Sequence, residues 1–151
     1  MAKTVIKRFR GKPIQSHNAK LVFVDKSEFV YGSLIEDKGR MFILSAREMS
    51  SVEIDPKTLG ENTGFTSVSN EVIYTGDIVK ARAKKQFKGD STVSDVIRDE
   101  CGQYCVRCHR GNENRDATFG LPLNWGGWVT LRIVGNIYDS PSLVDGKVIY
   151  E

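Results

Sequence analysis

The sequence predicts a mainly β protein: an N-terminal β-hairpin lobe over residues 1–58 and a C-terminal SH3-like partial barrel over 59–151, with short helical turns. Three observations point there. Valine, isoleucine, threonine and aromatic residues are plentiful, alanine is scarce, and 14 glycines punctuate the chain, a composition that favours strands over helices. The apolar runs are short and bounded by turn residues. From Val79 to Lys84, small apolar and basic residues alternate, so one side of that strand faces a core and the other faces water. A Gly76-Asp77 turn feeding such a strand is how many small SH3-like barrels begin, which speaks to fold and not to function.

Taken in order, Arg10-Gly-Lys-Pro13 reads as a turn and Ala19–Val24 as a first strand. Phe29–Ile35 and Met41–Leu44 are two apolar strands joined by Glu36–Arg40, where Gly39 admits a positive φ, so a hairpin is expected. Ser45–Ser51 is polar and suits a short helical turn. Asp55 before Pro56 supplies a capping acceptor and a residue tolerated at a helix start, so a single helical or 3₁₀ turn is expected there. Gly60 and Gly64 bracket a polar segment and suggest a fixed bend, followed by the short strand Val72–Tyr74. Phe87–Ser91 is a basic loop. Val93–Arg98 and Gln103–Cys108 form a second hairpin turning at Glu100-Cys-Gly102. Residues 110–127 lack periodicity and read as a long loop. Trp128–Val134 is the strongest strand, Gly135–Leu143 closes with a turn, and Asp145-Gly146 bends the chain into Lys147–Tyr150.

Length and charge narrow the classes. A chain of 151 residues is one domain or two small lobes, with enough length for a real core. No apolar run approaches the ~18 residues of a membrane span, and the basic N-terminus has no apolar segment behind it. The expectation is a cytoplasmic protein with no membrane partner. Three clustered cysteines do not resemble a secreted disulfide framework. The net charge of +3 is modest, but its distribution is uneven. Lys3, Lys7, Arg8, Arg10, Lys12 and Lys20 precede the first acid, and Lys80, Arg82, Lys84, Lys85 and Lys88 form a second basic run.

Four blocks, co-linear from residue 29 to 143, carry a family resemblance. They are Phe29-Val-Tyr-Gly-Ser-Leu-Ile35, Ile54-Asp-Pro-Lys-Thr-Leu-Gly60 with Thr63-Gly-Phe65, Ile73-Tyr-Thr-Gly-Asp-Ile-Val-Lys80, and Val134-Gly-Asn-Ile-Tyr-Asp-Ser-Pro-Ser-Leu143. Together they resemble the YopX family of bacteriophage and prophage proteins. Departures are visible: Glu61-Asn62 stands where the family has Gln-Tyr, and Thr75 where it has Glu before Gly-Asp. The segment 87–127 aligns poorly. The resemblance implies a mainly β fold, self-association as a homo-oligomer and a phage or prophage origin. It brings no activity and no catalytic residue, because the matching positions are glycines, proline and apolar strand residues.

Several motifs suggest chemistry. Cys105-Val-Arg-Cys108-His109 matches the haem-attachment pattern, but that maturation occurs outside the cytoplasm. Cys101, Cys105, Cys108 and His109 hold enough ligands for zinc, yet strand geometry turns Cys108 away from the others. Unligated thiols are the plainer reading, and neither metal nor cofactor is expected. A Cys108–His109 dyad is disfavoured because strand neighbours point apart. Asp55, Asp77, Asp90 and Asp95 are not paired by the sequence, and Asp77 reads as a turn residue bonding its own backbone. No enzyme is expected.

Lys80, Arg82 and Lys84 place three cations on one strand face about 6.5–7 Å apart, with Lys85 beside them. That spacing matches phosphates along a nucleic-acid strand, and Phe87, Trp125 and Trp128 offer stacking surfaces. The plainer alternatives are a charged edge strand guarded against pairing and a core aromatic pair at a tight loop. The expected function is non-enzymatic: an accessory protein binding a nucleic acid or nucleotide signal, acting in host takeover or anti-defence. The alternative is an adaptor that modifies a host protein complex.

Overall fold

A computed structural model describes residues 7–14, 28–47, 49–83, 92–108, 119–125 and 129–144. The protein is mainly β, with eleven strands and three 3₁₀ turns among these residues and no α-helix. The chain divides into two compact units, Met1–Asn62 and Thr63–Glu151.

In the first unit, β1 (Phe9–Gly11), β2 (Val30–Asp37), β3 (Arg40–Ser45), β4 (Ser50–Ile54) and the start of β5 (Gly60–Thr66) lie in the order β4-β3-β2-β1-β5. The expected hairpin is present: β2 pairs antiparallel with β3 from Ser33–Leu44 to Asp37–Arg40. Its two-residue turn holds Lys38 at φ 49° and Gly39 at φ 77°, the positive pair that matches strand twist. The pleat then sorts the side chains. Val30, Ile43, Val52 and Ile54 form a core with Phe9, Leu34, Met41 and Leu59 packed against it. The Asp55 carboxylate accepts from the Lys57 N–H at 3.0 Å and starts the 3₁₀ turn Pro56–Thr58, as its sequence indicated.

Three expectations for this stretch need correcting. Arg10 and Gly11 belong to strand β1, not to a turn, because β1 fills the gap between β2 and β5. A Cβ at Gly11 would lie 2.3 Å from Ile54 Cδ1, so the glycine serves close packing there. Ser50 and Ser51 open β4, so no helical turn occupies them. Gly60 is a buried strand residue opposite Arg10, and only Gly64 takes a positive φ, so the segment is a strand and not a bend. The strand placed at Ala19–Val24 lies outside the described residues.

Cations of the first unit lean on aromatic rings. The Arg10 guanidinium is buried and sits 4.0 Å from the Phe29 ring centre, while Lys12 lies 5.3 Å from the same ring and Lys7 5.5 Å from Tyr31. Ring quadrupoles attract such cations. On the exposed side of the hairpin, Arg40 donates two hydrogen bonds to Glu53. Those bonds hold the Glu53 carboxyl below its usual range. Their contribution is therefore present at neutral pH and fades as pH falls through that depressed value.

In the second unit, the end of β5 neighbours β6 (Val72–Tyr74). A five-stranded antiparallel sheet, consistent with a partial barrel, runs in the order β10-β9-β8-β7-β11. Its strands are β7 (Asp77–Ala83), β8 (Thr92–Arg98), β9 (Tyr104–Cys108), β10 (Phe119–Pro122) and β11 (Val129–Asn136). Ile73, Val79, Ala81, Val96, Val106, Leu123 and Leu131 form the core. The β8–β9 hairpin is where the sequence placed it, turning through Gly102 at φ 80°. The span 110–127 is not all loop: β10 pairs with β9 from Phe119–Cys108 to Pro122–Cys105, and the 3₁₀ turn Leu123–Trp125 follows. Further 3₁₀ structure at Pro141–Leu143 ends the described chain. The loop 87–91, the bend at Asp145-Gly146 and the segment 147–150 lie outside the described residues.

Gly32 gives the sharpest test of the first core. A Cβ there would stand 1.9 Å from the Leu44 carbonyl oxygen, whereas a Cβ at Gly39 meets nothing within 4 Å. Gly32→Ala is expected to cost roughly 3 kcal/mol or more, or to abolish folding. Gly39→Ala, strained only in φ, should cost about 1–2 kcal/mol. Urea unfolding of both variants checks this; equal costs would contradict the packing.

Candidate functional site

The site is built on β7 and β11. The chain enters β7 through Gly76, at φ 89°, and Asp77, whose carboxylate accepts from the Tyr74 N–H at 2.8 Å. This is the local backbone bond the sequence suggested. The Gly76 N–H donates to Val96 O at 2.9 Å and the Ile137 N–H donates to Gly76 O at 3.0 Å, so the turn is tied to both flanking strands. From that fixed start, alternation decides each side chain. Val79 and Ala81 are buried in the core, whereas Lys80 is half-buried and Arg82 exposed on the opposite face.

Strand β11 pairs with β7 so that Arg132 stands opposite Lys80, Thr130 opposite Arg82 and Leu131 opposite Ala81. Leu131 joins the core, and Thr130 and Arg132 join the two cations of β7. A bulge between Ile133 and Gly135 leaves Val134 unpaired and 40 % exposed while pairing resumes to Asn136–Asp77. Lys80, Arg82, Thr130, Arg132 and Val68 line a cleft of about 330 Å³. Among the described residues that line it there is no carboxylate. Thr130 Oγ1 donates to the Arg82 carbonyl at 3.2 Å, so its proton clamps the two strands and the side chains of Arg82 and Arg132 remain as donors.

The same sheet face continues across β8 and β9, since Ile78 and Lys80 share it and Ile78 pairs with Asp95. Asp95 is buried, accepts from Ser94 Oγ at 3.3 Å and lies 3.2 Å from Arg107 Nε. That nitrogen is not aligned for a hydrogen bond, so the link to Asp95 is a contact of charges. Asp95 thus balances Arg107, two strands away from the cleft. Asp55, Asp77 and Asp95 have separate local roles, and Asp90 lies outside the described residues.

The structure joins Lys80 and Arg82 with Arg132, which sequence reasoning had not selected. The usable signal was the alternation Thr130-Leu-Arg-Ile133, but the partner strand lies some fifty residues away. Lys84, Lys85, Phe87 and Trp128 lie outside the described residues. Trp125 ends the 3₁₀ turn after β10, and its side chain is not described.

Among the thiols, Cys101 is exposed in the β8–β9 turn and Cys105 is buried in β9. Because Cys101 sits in the turn, strand parity does not place it beside Cys105. Cys108 ends β9 with its side chain undescribed, and His109 lies outside the described residues. No group of three or more metal-ligating side chains occurs among the described residues. No helix among them is long and apolar enough to cross a membrane. A brief iodoacetamide pulse followed by peptide mapping should label Cys101 in the folded protein and leave Cys105 unmodified until denaturant is added. Equal labelling of the two would contradict the β9 packing.

A family model described as YopX protein matches residues 8–145. No curated protein and no solved structure matches the chain. The matched range takes in both hydrophobic cores and all eleven described strands, and the chain belongs to the YopX family.

Proposed function

We propose that this YopX-family chain is a non-enzymatic accessory protein of phage or prophage origin that binds a phosphate-bearing partner, a nucleic acid or a nucleotide, in the β7–β11 cleft. Arg132 opposite Lys80, with Arg82 on the same face, is the observation that carries this reading. Three like charges brought together raise one another's energy and favour whatever anion neutralises them. Neither Arg82 nor Arg132 has an ion pair among the described residues, so their donors are available. Guanidinium groups suit such a role because their planar forks match phosphate oxygens. Binding an anion this way needs no nucleophile and no base. Such a protein, present as a homo-oligomer in the host cytoplasm, would act in host takeover or anti-defence by holding its ligand.

One observation favours the adaptor reading. On the exposed face of the N-terminal hairpin, Ile35 is 40 % and Leu44 50 % exposed, with Met49 90 % exposed nearby in sequence. Ile35 and Leu44 share that face because Ile35 pairs with Phe42 and Ser33 with Leu44. Exposed apolar patches mark protein contacts when they are contiguous. Pull-down from host lysate with wild type and a Leu44→Ser variant tests this second reading; equal recovery of every partner would remove it.

The cleft reading is tested by fluorescence titration with single-stranded DNA and with nucleotides at two salt concentrations. The expected result is binding tighter than ~100 μM at low salt, weakening as salt rises. Arg132→Gln and Arg82→Gln should each weaken binding about tenfold and, on DNA, lower the salt slope by about one. Salt-independent binding, or variants indistinguishable from wild type, would contradict it.

A further inference from the structure

Granting that the cleft is the binding site, we infer that its ligand is a nucleoside polyphosphate, with the phosphate chain on Lys80, Arg82 and Arg132 and the nucleoside against Val68. Two features separate this from an internal stretch of nucleic acid.

The first is the arrangement of charge. A groove that tracks a nucleic-acid backbone repeats its cations along a line, one for each successive phosphate. Among the described residues the cations converge instead. Lys80 and Arg132 are a directly opposed cross-strand pair, which puts their Cβ atoms about 4.5–5.5 Å apart. Arg82 stands two residues along β7, about 6.5–7 Å away on the same face. Toward β8 no further cation adjoins Lys80 among the described residues: Lys80 is paired there with Val93, and the next position along β7 on this face is the buried Ile78, opposite Asp95, whose charge is matched by Arg107. A terminal phosphate carries about −1.5 to −2 charge near neutral pH, whereas each internal phosphodiester carries about −1. Three converging cations therefore match a short phosphate chain that ends in a terminal phosphate better than one link of a polymer.

The second feature is a fixed apolar wall. Val68 is 53 % exposed and lines the cleft, yet its backbone is held firmly. Its N–H donates to Leu131 O at 2.9 Å, which docks the turn on the edge of β11. Behind it, the buried Ser67 hydroxyl accepts from the Ser69 N–H at 3.2 Å and the Glu71 N–H at 3.3 Å. The Ser67 N–H donates to Glu71 O at 2.8 Å, and the Asn70 N–H donates to Ser67 O at 3.0 Å. A valine presented to solvent by a turn so thoroughly bonded stays in place and offers apolar surface beside the cations. A ligand with a charged chain and a flat base, whose ring faces offer apolar surface, uses both. The cleft's volume of about 330 Å³ is at the lower end of small-ligand pockets.

Isothermal titration calorimetry at one low salt concentration tests this with ATP, GTP, CTP and UTP, their monophosphates, tripolyphosphate and a twelve-residue oligothymidylate. The expected result is at least one triphosphate binding ten or more times tighter than its monophosphate and more tightly than tripolyphosphate. Val68→Ser should weaken that triphosphate at least threefold and leave tripolyphosphate unchanged, while Arg132→Gln weakens both by tenfold or more. Oligothymidylate binding tenfold tighter than every triphosphate, with triphosphates no better than monophosphates, would overturn the inference and leave the cleft as a nucleic-acid site. A triphosphate equal to tripolyphosphate and indifferent to Val68→Ser would remove the nucleoside. Absence of binding by every probe, or binding unaffected by Arg132→Gln, would overturn both this inference and the cleft itself.

Discussion

Register between β7 and β11 is the constraint on which the candidate site depends. Side chains on a strand alternate with a period of two, so a slip by one residue would exchange Lys80 with Val79 and bury a cation where the core now lies. Leu131 opposite Ala81 and Ile133 opposite Val79 make that slip expensive, because each apolar pair would be traded for a charged one. The Gly76-Asp77 turn sets where the count begins. It is bonded to Tyr74, Val96 and Ile137, so three different segments agree on the position of the first residue of β7. The bulge at Val134 lets β11 keep Arg132 in the cleft and still return to β7 at Asn136–Asp77.

The two basic runs of the sequence have different fates for a physical reason. Lys7, Arg10 and Lys12 lie against Tyr31 and Phe29, and Arg10 is buried there. Those cations gain their stabilisation from aromatic faces within their own unit. Lys80, Arg82 and Arg132 face a cleft with no aromatic ring and no acid among its described lining. Arg107, on the same sheet face, shows the contrast at close range, because Asp95 neutralises it. Charge count alone does not find a site; what surrounds each charge does.

Much of the fold was legible because it rests on local chemistry. The Lys38-Gly39 turn, the Asp55 cap, the Gly76-Asp77 turn and the hairpin through Gly102 each follow from a residue type suited to one backbone conformation. Alternation in β7 was equally plain. The misreadings have a common cause. Gly11 and Gly60 read locally as turn formers, but both are buried strand residues of the β1–β5 neighbourhood. That demand comes from a neighbour distant in sequence. Strand β10 escaped because a strand of four residues containing Gly120 and ending in Pro122 has no period to read, and its place at a sheet edge is what tolerates the proline. Arg132 escaped for the same reason as β1: its meaning depends on pairing with Lys80, which no local window contains.

The most direct measurement is the response of arginine Nε–Hε NMR signals to added tripolyphosphate, with each signal assigned by single Arg→Lys substitution. This account predicts that the Arg82 and Arg132 signals shift together along one saturating curve, while those of Arg8, Arg40 and Arg98 stay still. Shifts confined to Arg8 or spread evenly over all exposed arginines would contradict a convergent site on the β7–β11 face.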